Sequence, residues 1–324
     1  MYKSFVLVTG ANGFIGQALC LCLHGSGFKV RAAVRKIDRK LPNVYESVEV
    51  GDINSQTDWA EALNNIDVVV HLASRAHIIR DNASDPLFEF RKVNVFGTER
   101  LARMAAQHGV SRLIYISSVK VNSECTKRDP DGKMLCVSEE DIPNPQDYYA
   151  ISKWEAERLL YRIKEETGLE IVILRSPLVY GPGVKANFQR LIKLIDLGIP
   201  LPFANLKNAR SFIYLDNLVD VILKCTIDPK AAGQTFLVSD GQDISTPELM
   251  RMIAKAMKRK LILLPFPVGF LRVFGKVSGR LSEVERLINS LCVNNDKIVR
   301  TLDWKPPYTL EQGIKLTVDS YKSR

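Results

Sequence analysis

The 324 residues include six cysteines but no C-x-x-C pair, and four histidines without metal-ligand spacing. The first absence argues against a zinc module or a dithiol redox motif, and the cysteines read as reduced thiols with no disulfide framework. The expectation for metal is therefore none. No apolar run reaches the roughly 18 residues needed to cross a bilayer. With 46% apolar residues and a mean hydropathy of -0.04, the composition is that of a soluble chain with a real core. No charged and apolar leader precedes the first strand, so the expected compartment is the cytoplasm. The chain also lacks any nucleic-acid-binding pattern, although its net charge is +9 and its pI about 9.2. Its basic residues are scattered, with short clusters at Arg35-Lys36 and Lys258-Arg259-Lys260. The expectation is no nucleic acid, and instead a ligand bearing several phosphates or an anionic membrane surface.

What is present begins at Thr9-Gly10-Ala11-Asn12-Gly13-Phe14-Ile15-Gly16. This stretch follows the apolar run Phe5 to Val8, which reads as a strand, and precedes Gln17 to Leu23, which reads as a helix. A glycine turn between strand and helix offers free amides and the positive end of a helix dipole to a diphosphate. Gly10 permits the tight turn, Gly13 lets backbone approach phosphate, and Gly16 lets helix meet strand. The G-x-x-G-x-x-G spacing is one residue longer at its first gap than the usual dinucleotide fingerprint. The second strand, Lys29 to Val34, ends in Arg35-Lys36 where NAD-binding chains place a carboxylate. A guanidinium there suits a 2'-phosphate, so NADP(H) is expected ahead of NAD(H). After the third strand, Asp52 is placed to accept from an adenine amino group.

Strands then alternate with helices: Asp67 to Ala73, a helix over 85–107, Arg112 to Ser118, a polar excursion over 122–147, a helix over 148–167, and Glu170 to Arg175. This alternation indicates a parallel, doubly wound sheet. It weakens near Tyr180. Residues 1–180 are expected to form a dinucleotide-binding domain to which 211–240 return, and 181–324 a smaller, mainly helical substrate domain. Leu261 to Phe274 is apolar but interrupted by Pro265, Pro267 and Arg272. It cannot span a bilayer, and burial in the second domain is expected rather than peripheral membrane contact. His77, in the loop after the fourth strand, reads as a loop residue rather than a catalyst.

Tyr149 and Lys153 lie four apart on one helical face, behind a strand that ends in Ser117-Ser118. Tyrosine is a poor acid-base near neutrality, and an adjacent ammonium is expected to favour its phenolate. A serine hydroxyl can hold the substrate oxygen that gains or loses the proton.

With these motifs the chain resembles the extended short-chain dehydrogenase/reductases, in particular their nucleotide-sugar epimerases and dehydratases. The resemblance runs along almost the whole chain. It rests on Thr9 to Gly16, His71-Leu72-Ala73, Asn94 to Thr98, Ser117-Ser118, Tyr149 to Lys153, Arg210 to Asp216, and Leu302 to Pro306 with Leu310 to Gly313. It implies a Rossmann-like α/β fold, a UDP-sugar substrate and a homodimer through the helices 86–107 and 148–167. Ser118, Tyr149 and Lys153 become the catalytic set. Asn12, Phe14, Ile15, Ile53, Leu72, Ala73 and Pro177 join the glycines, Arg35, Lys36, Asp52, Tyr149 and Lys153 around the cofactor. Asn187 and Arg210, with Ser118, face the nucleotide sugar. Asn94 supports.

Sugar 4,6-dehydratases of this family carry an Asp-Glu pair after the catalytic Thr, to supply the acid and base of elimination. Val119 and Lys120 stand there instead. Two reactions at the sugar C4 remain. One is NADPH-dependent reduction of a UDP-4-keto-6-deoxy-hexosamine in bacterial surface-polysaccharide synthesis. The other is 4-epimerisation of UDP-glucose or UDP-N-acetylglucosamine with retained NAD. Arg35 leans toward reduction. A non-catalytic NADP-binding sensor or subunit is a third reading, which the retained Tyr-Lys pair disfavours.

Overall fold

A computed structural model describes residues 4–38, 40–76, 83–279 and 281–323. Nine strands occur among them: β1 Phe5–Thr9, β2 Lys29–Val34, β3 Glu46–Glu49, β4 Val68–His71, β5 Arg112–Ser118, β6 Glu170–Ser176, β7 Leu178–Tyr180, β8 Phe212–Tyr214 and β9 Thr235–Leu237. Seven form one parallel sheet in the order β3-β2-β1-β4-β5-β6-β9, and β7 pairs with β8 in a second, two-stranded sheet. The chain winds away from β1 in both directions, toward β2 and toward β4. The crevice of an open α/β sheet lies at such a reversal, outside the carboxyl ends of the strands.

Period-2 alternation sends each strand's side chains to both faces, and each face is covered. Val6, Val8, Val70, Ile114 and Leu174 pack against the helices Phe14–Gly25 and Leu215–Ile227. Leu7, Val69, Leu113 and Ile173 pack against Thr98–Gln107 and Tyr148–Thr167. A separate cluster joins β7 and β8 to the later helices through Tyr180, Phe188, Tyr214, Met250, Ile253 and Ile314.

Two expectations change. The helix expected over 85–107 is Pro86–Arg91, then a wider π-helical turn Lys92–Gly97, then Thr98–Gln107. The turn sets Asn94 inward and brings Gly97 against Ile53, where an added Cβ would lie 2.4 Å from the Ile53 methyl. Burial of Leu261 to Phe274 is overturned. The helix Val268–Val277 buries only Leu271 and Gly275, while Phe270, Phe274 and Val277 are 63%, 71% and 84% exposed. Hydropathy marked this helix as apolar without saying which face packs inward.

Under the excursion 122–147 lies a buried polar junction. Arg175 donates from Nε to Glu157 Oε1 at 3.0 Å, from Nη2 to Glu157 Oε2 at 2.5 Å, and from Nη1 to Asn122 Oδ1 at 3.1 Å. Ser117 Oγ donates to Glu157 Oε1, and Asn122 Nδ2 to Ser138 O. These bonds tie β5, β6, the helix Tyr148–Thr167 and the excursion together. Removing one partner of a buried pair strands the other charge, at a cost of about 3–5 kcal/mol. Arg175→Met is therefore expected to lower unfolding free energy by that amount, and Arg175→Met/Glu157→Gln by less. Denaturant titration checks this; a double variant no more stable than the single would contradict it.

Candidate active site

Gly10 has φ +66°, and a Cβ there would meet Ala73 N at 3.0 Å. A Cβ on Gly16 would lie 2.2 Å from Gly10 O, so helix and turn touch backbone to backbone. Gly13 N donates to Gly10 O at 2.9 Å, and Gly13 heads the helix without a side-chain cap. The next amides of the first turn therefore lack a side-chain acceptor, which is the property of an anion site. Asn12 and Gly13 are exposed, and Phe14 and Ile15 half-buried.

Thr9, His71 and Thr98 lock the neighbouring strand ends. Thr9 Oγ1 accepts from Leu72 N and Ala73 N, both at 3.1 Å, and lies 2.7 Å from His71 Nδ1. With two donors already pointed at it, the hydroxyl gives its proton to Nδ1, which leaves Nε2–H to donate to Thr98 Oγ1 at 3.0 Å. That is neutral imidazole. Burial, and then the Lys153 charge, lower His71 to about 3.

On the other side of this lock, Asn94 Oδ1 accepts from Arg75 N at 2.8 Å, and Asn94 Nδ2 donates to Arg75 O at 3.0 Å and Ser152 Oγ at 2.9 Å. Ser152 Oγ donates on to Tyr149 O. The turn thus fixes the loop after β4 to the helix that carries Tyr149 and Lys153. Asp147 starts that helix by accepting from Ala150 N at 2.7 Å.

Lys153 is buried, and its Nζ donates to Ile116 O at 2.7 Å. Its ammonium lies 4.4 Å from the Tyr115 ring centroid and 5.8 Å from that of Tyr149. Burial lowers Lys153 to about 7, even with Glu157 opposing. Tyr149 is raised rather than lowered, by burial and then by the Asp147 carboxylate. The expectation of a phenolate favoured by its lysine is thus corrected for the ligand-free protein: desolvation outweighs an ammonium that is itself weakened. Ser117 Oγ is spent on Glu157, whereas Ser118 Oγ accepts only from Lys120 N, at 3.3 Å, among the described contacts. Val119 is buried, and Lys120 pairs with Asp147 and with Glu124.

Arg35 and Asp52 meet each other, at 2.9 Å between Nε and Oδ1, in an exposed ion pair. Lys36 is exposed beside them, Ile53 is half-buried, and Pro177 follows β6. Asn187 stands in the first turn of Ala186–Asp196, directly after Ala186, whose φ is +54°. Arg210 bridges Ile244 and Leu291 through its backbone and donates from Nη1 to Asn289 O at 3.0 Å. Burial, and then Arg286, lower Arg210 to about 10. Arg210 is half-buried and Arg286 exposed, and each raises the cost of a charge on the other. The excursion connects this region to β5: Thr126 N donates to Ser290 O and Val137 N to Cys292 O. His77 lies outside the described residues.

Residues 6–238 match the NAD dependent epimerase/dehydratase family. The UDP-glucose 4-epimerase of Vibrio cholerae is 44% identical over 318 residues, covering 98% of this chain and 95% of that protein. The chain belongs to the NAD-dependent epimerase/dehydratase family. A more distant relative, 28% identical over 97% of this chain and 94% of its own length, is the N-acetyl-alpha-D-glucosaminyl-diphospho-ditrans,octacis-undecaprenol 4-epimerase of Escherichia coli O157:H7. Among solved structures, MoeE5 in complex with UDP-glucose and NAD superposes with a TM-score of 0.77 at 24% identity, covering 99% of both chains. The UDP-glucuronic acid 4-epimerase of Bacillus cereus, in complex with NAD, gives 0.77 at 23% identity over 98% of this chain and 99% of that one. Their likeness to this member of the family is one of fold.

Sequence reading missed several residues that this family member brings to its site. Thr9 and Thr98 reach His71 from 62 and 27 residues away, and no local spacing announces that contact. Arg286 likewise comes near enough to Arg210 to disfavour its charge only through the fold. Cys136, Asp243 and Cys292 place ligand atoms within 4.8 Å of one another despite the lack of a C-x-x-C pair. The Asp243 carboxylate already accepts from Ser211 Oγ.

The neutral His71 sets a pH dependence. The unfolded chain protonates this residue near 6.5 and the folded protein only near 3. Stability from this group is therefore complete above 6.5 and falls as pH drops through that window. Between pH 6.5 and about 5, where carboxylates stay ionised, wild-type Tm is expected to fall more steeply than that of His71→Gln. Parallel slopes in thermal melts of the two proteins would contradict a neutral buried histidine.

Proposed function

We propose that the protein is a UDP-hexose 4-epimerase that retains its NAD. The observation that carries this reading is the 44% identity with UDP-glucose 4-epimerase over 98% of the chain. Fold alone does not select the reaction, because a dTDP-glucose 4,6-dehydratase superposes with a TM-score of 0.75. Within the chain, a buried Val119 and a paired Lys120 stand where the dehydratases carry their Asp-Glu pair, which disfavours elimination. The reductase reading placed first on sequence rests on Arg35. The Arg35 guanidinium is paired with the Asp52 carboxylate, which supports NAD over a cofactor with a 2'-phosphate. Exposed pairs contribute about 0–1 kcal/mol, so this point is secondary to the full-length likeness.

The glycine turn fits the diphosphate of that cofactor, since its helix is uncapped and its cradle would be filled by any Cβ at Gly10 or Gly16. Leu72, Ala73 and Pro177 at the strand ends, with Asp52 and Ile53, complete the binding crevice. When bound, NAD accepts and returns a hydride. In this reading Tyr149, as the phenolate that the bound cofactor's positive nicotinamide and Lys153 would favour, takes the proton from the C4 hydroxyl and later gives it back, and Ser118 Oγ holds the same oxygen. Lys153 keeps Tyr149 poised and bonds the nicotinamide ribose. The relatives' substrates share a hexosyl diphosphate, whether joined to uridine or to a polyprenol. Arg210 and Arg286 suit that shared group, with Asn187 as a further polar contact in the first turn of Ala186–Asp196. We assign residues 1–180, with the returning 211–240, to cofactor and the rest of 181–324 to substrate. A homodimer would use the face where Phe88, Phe96 and Tyr148 are exposed.

The test identifies cofactor released from purified protein. Bound NAD or NADH supports the epimerase, and a protein that binds NADPH more tightly and consumes it supports the reductase. Tyr149→Phe is expected to lower kcat by about 100- to 10,000-fold with cofactor binding intact. Arg210→Ala is expected to raise KM, with little effect on the bound cofactor. A kcat for Tyr149→Phe within a few-fold of wild type would remove Tyr149 from the proton step.

A further inference from the structure

Residues 249–282 carry eight lysines and arginines and no aspartate or glutamate. Lys255, Arg259 and Arg272 pair with Glu311, Asp196 and Glu285 outside the segment, and the other cations have no acid within it. The same segment holds the outward apolar helix. Its first part, 261–266, runs beside Leu201 to Ala204, with Leu201 N donating to Ile262 O and Leu264 N to Leu201 O, both at 2.9 Å. Extended backbone alternates its side chains. Leu261 and Leu263 turn toward the core, whereas Ile262, Leu264 and Phe266 are exposed. Pro267 then starts the helix Val268–Val277. Phe270, Val273, Phe274 and Val277 follow at helical spacing on its outer face. Phe266 and Phe270 touch edge to face, with centroids 6.0 Å apart, which joins the extended and helical parts into one patch. On the opposite side Gly275 fits against Leu281 and Val284. Arg272 and Lys276 stand next to the stripe, and Arg272 also pairs with Glu285 at 3.0 Å.

We infer that this face docks on an anionic lipid bilayer. Soluble proteins seldom leave so many large apolar side chains contiguous and open to water. The helix is ten residues long, too short to cross a membrane, and among the described residues no helix is long and apolar enough to do so. Lying in the interface, it buries the phenylalanines at the acyl boundary and leaves its cations to the headgroups. The charge decides between a membrane and a second copy of the chain. A two-fold contact would set this cationic segment against itself, whereas anionic headgroups neutralise it. Docking would also orient the site. Asn289 accepts from Arg272 Nη2 through Oδ1 at 3.5 Å and from Arg210 Nη1 through its backbone oxygen at 3.0 Å. The anion clamp is therefore one residue from the docking face.

The experiment is co-sedimentation of the full chain with vesicles of phosphatidylcholine alone and with about 30 mol % phosphatidylglycerol. Binding is expected to the anionic vesicles only, and to weaken as salt rises from about 0.1 to 0.5 M. Phe270→Glu/Phe274→Glu is expected to cut partitioning at least about tenfold, with an unchanged melting curve and unchanged nucleotide binding. Lys276→Ser is expected to cut it about fivefold, from roughly 1 kcal/mol per cation. Absence of binding to anionic vesicles, or full binding by the double variant, would overturn the proposal. So would light scattering that finds a wild-type oligomer dissolved by the double variant, which would assign the patch to a second copy.

Discussion

An ammonium group is held inside the protein at Lys153, with Ile116 O as its acceptor and the Tyr115 ring beside it. Taking that charge out of water is costly, and the surroundings are arranged to bear it. Glu157, one helical turn on, is committed to Arg175 and Ser117 but still contributes an opposing field. His71 stays neutral because it is buried, and the Lys153 cation adds to the cost of charging it. Asn94, through Ser152, fixes the turn of helix on which both Tyr149 and Lys153 stand. The strand ends are thereby joined by buried hydrogen bonds. That suits a proton transfer, which depends on donor and acceptor lying within hydrogen-bond reach.

The parts of this arrangement that are local in sequence could be read without a structure. The glycine turn is legible because strand, turn and helix follow one another directly, and each glycine answers a steric need visible in the backbone. Tyr149 and Lys153 are legible because a helix period puts them on one face. The sheet is legible from the apolar run at Val68, Val69 and Val70, buried on both sides. What was not legible depends on distant residues meeting. The imidazole of His71 could not be called neutral until Thr9 and Thr98 were found at its two nitrogens. The rise at Tyr149 needed the depth of the helix, which pattern does not give. The π-helical turn escaped because its apolar spacing differs from an α-helix by a single residue, and the outward face of Val268–Val277 escaped because an apolar stripe carries no sign of direction.

Positive charge recurs at three levels, each with a different consequence. Lys153 acts inside the fold, on titration. Arg210 is half-buried beside the exposed Arg286, and there the two guanidinium groups are proposed to hold a diphosphate. The described cations of 249–282 lie exposed at the surface, where salt can screen them. A single net charge for the chain merges these effects, and only burial separates them.

The central claim is that hydride and proton return to the same sugar they left. It is tested most directly by incubating the protein with UDP-glucose or UDP-N-acetylglucosamine, with no nucleotide cofactor added, and following the C4 epimer over many turnovers. The account predicts interconversion to a fixed equilibrium ratio with no net change in nicotinamide absorbance. A protein that leaves both sugars untouched, yet oxidises NADPH in proportion to an added UDP-4-keto sugar, would contradict it.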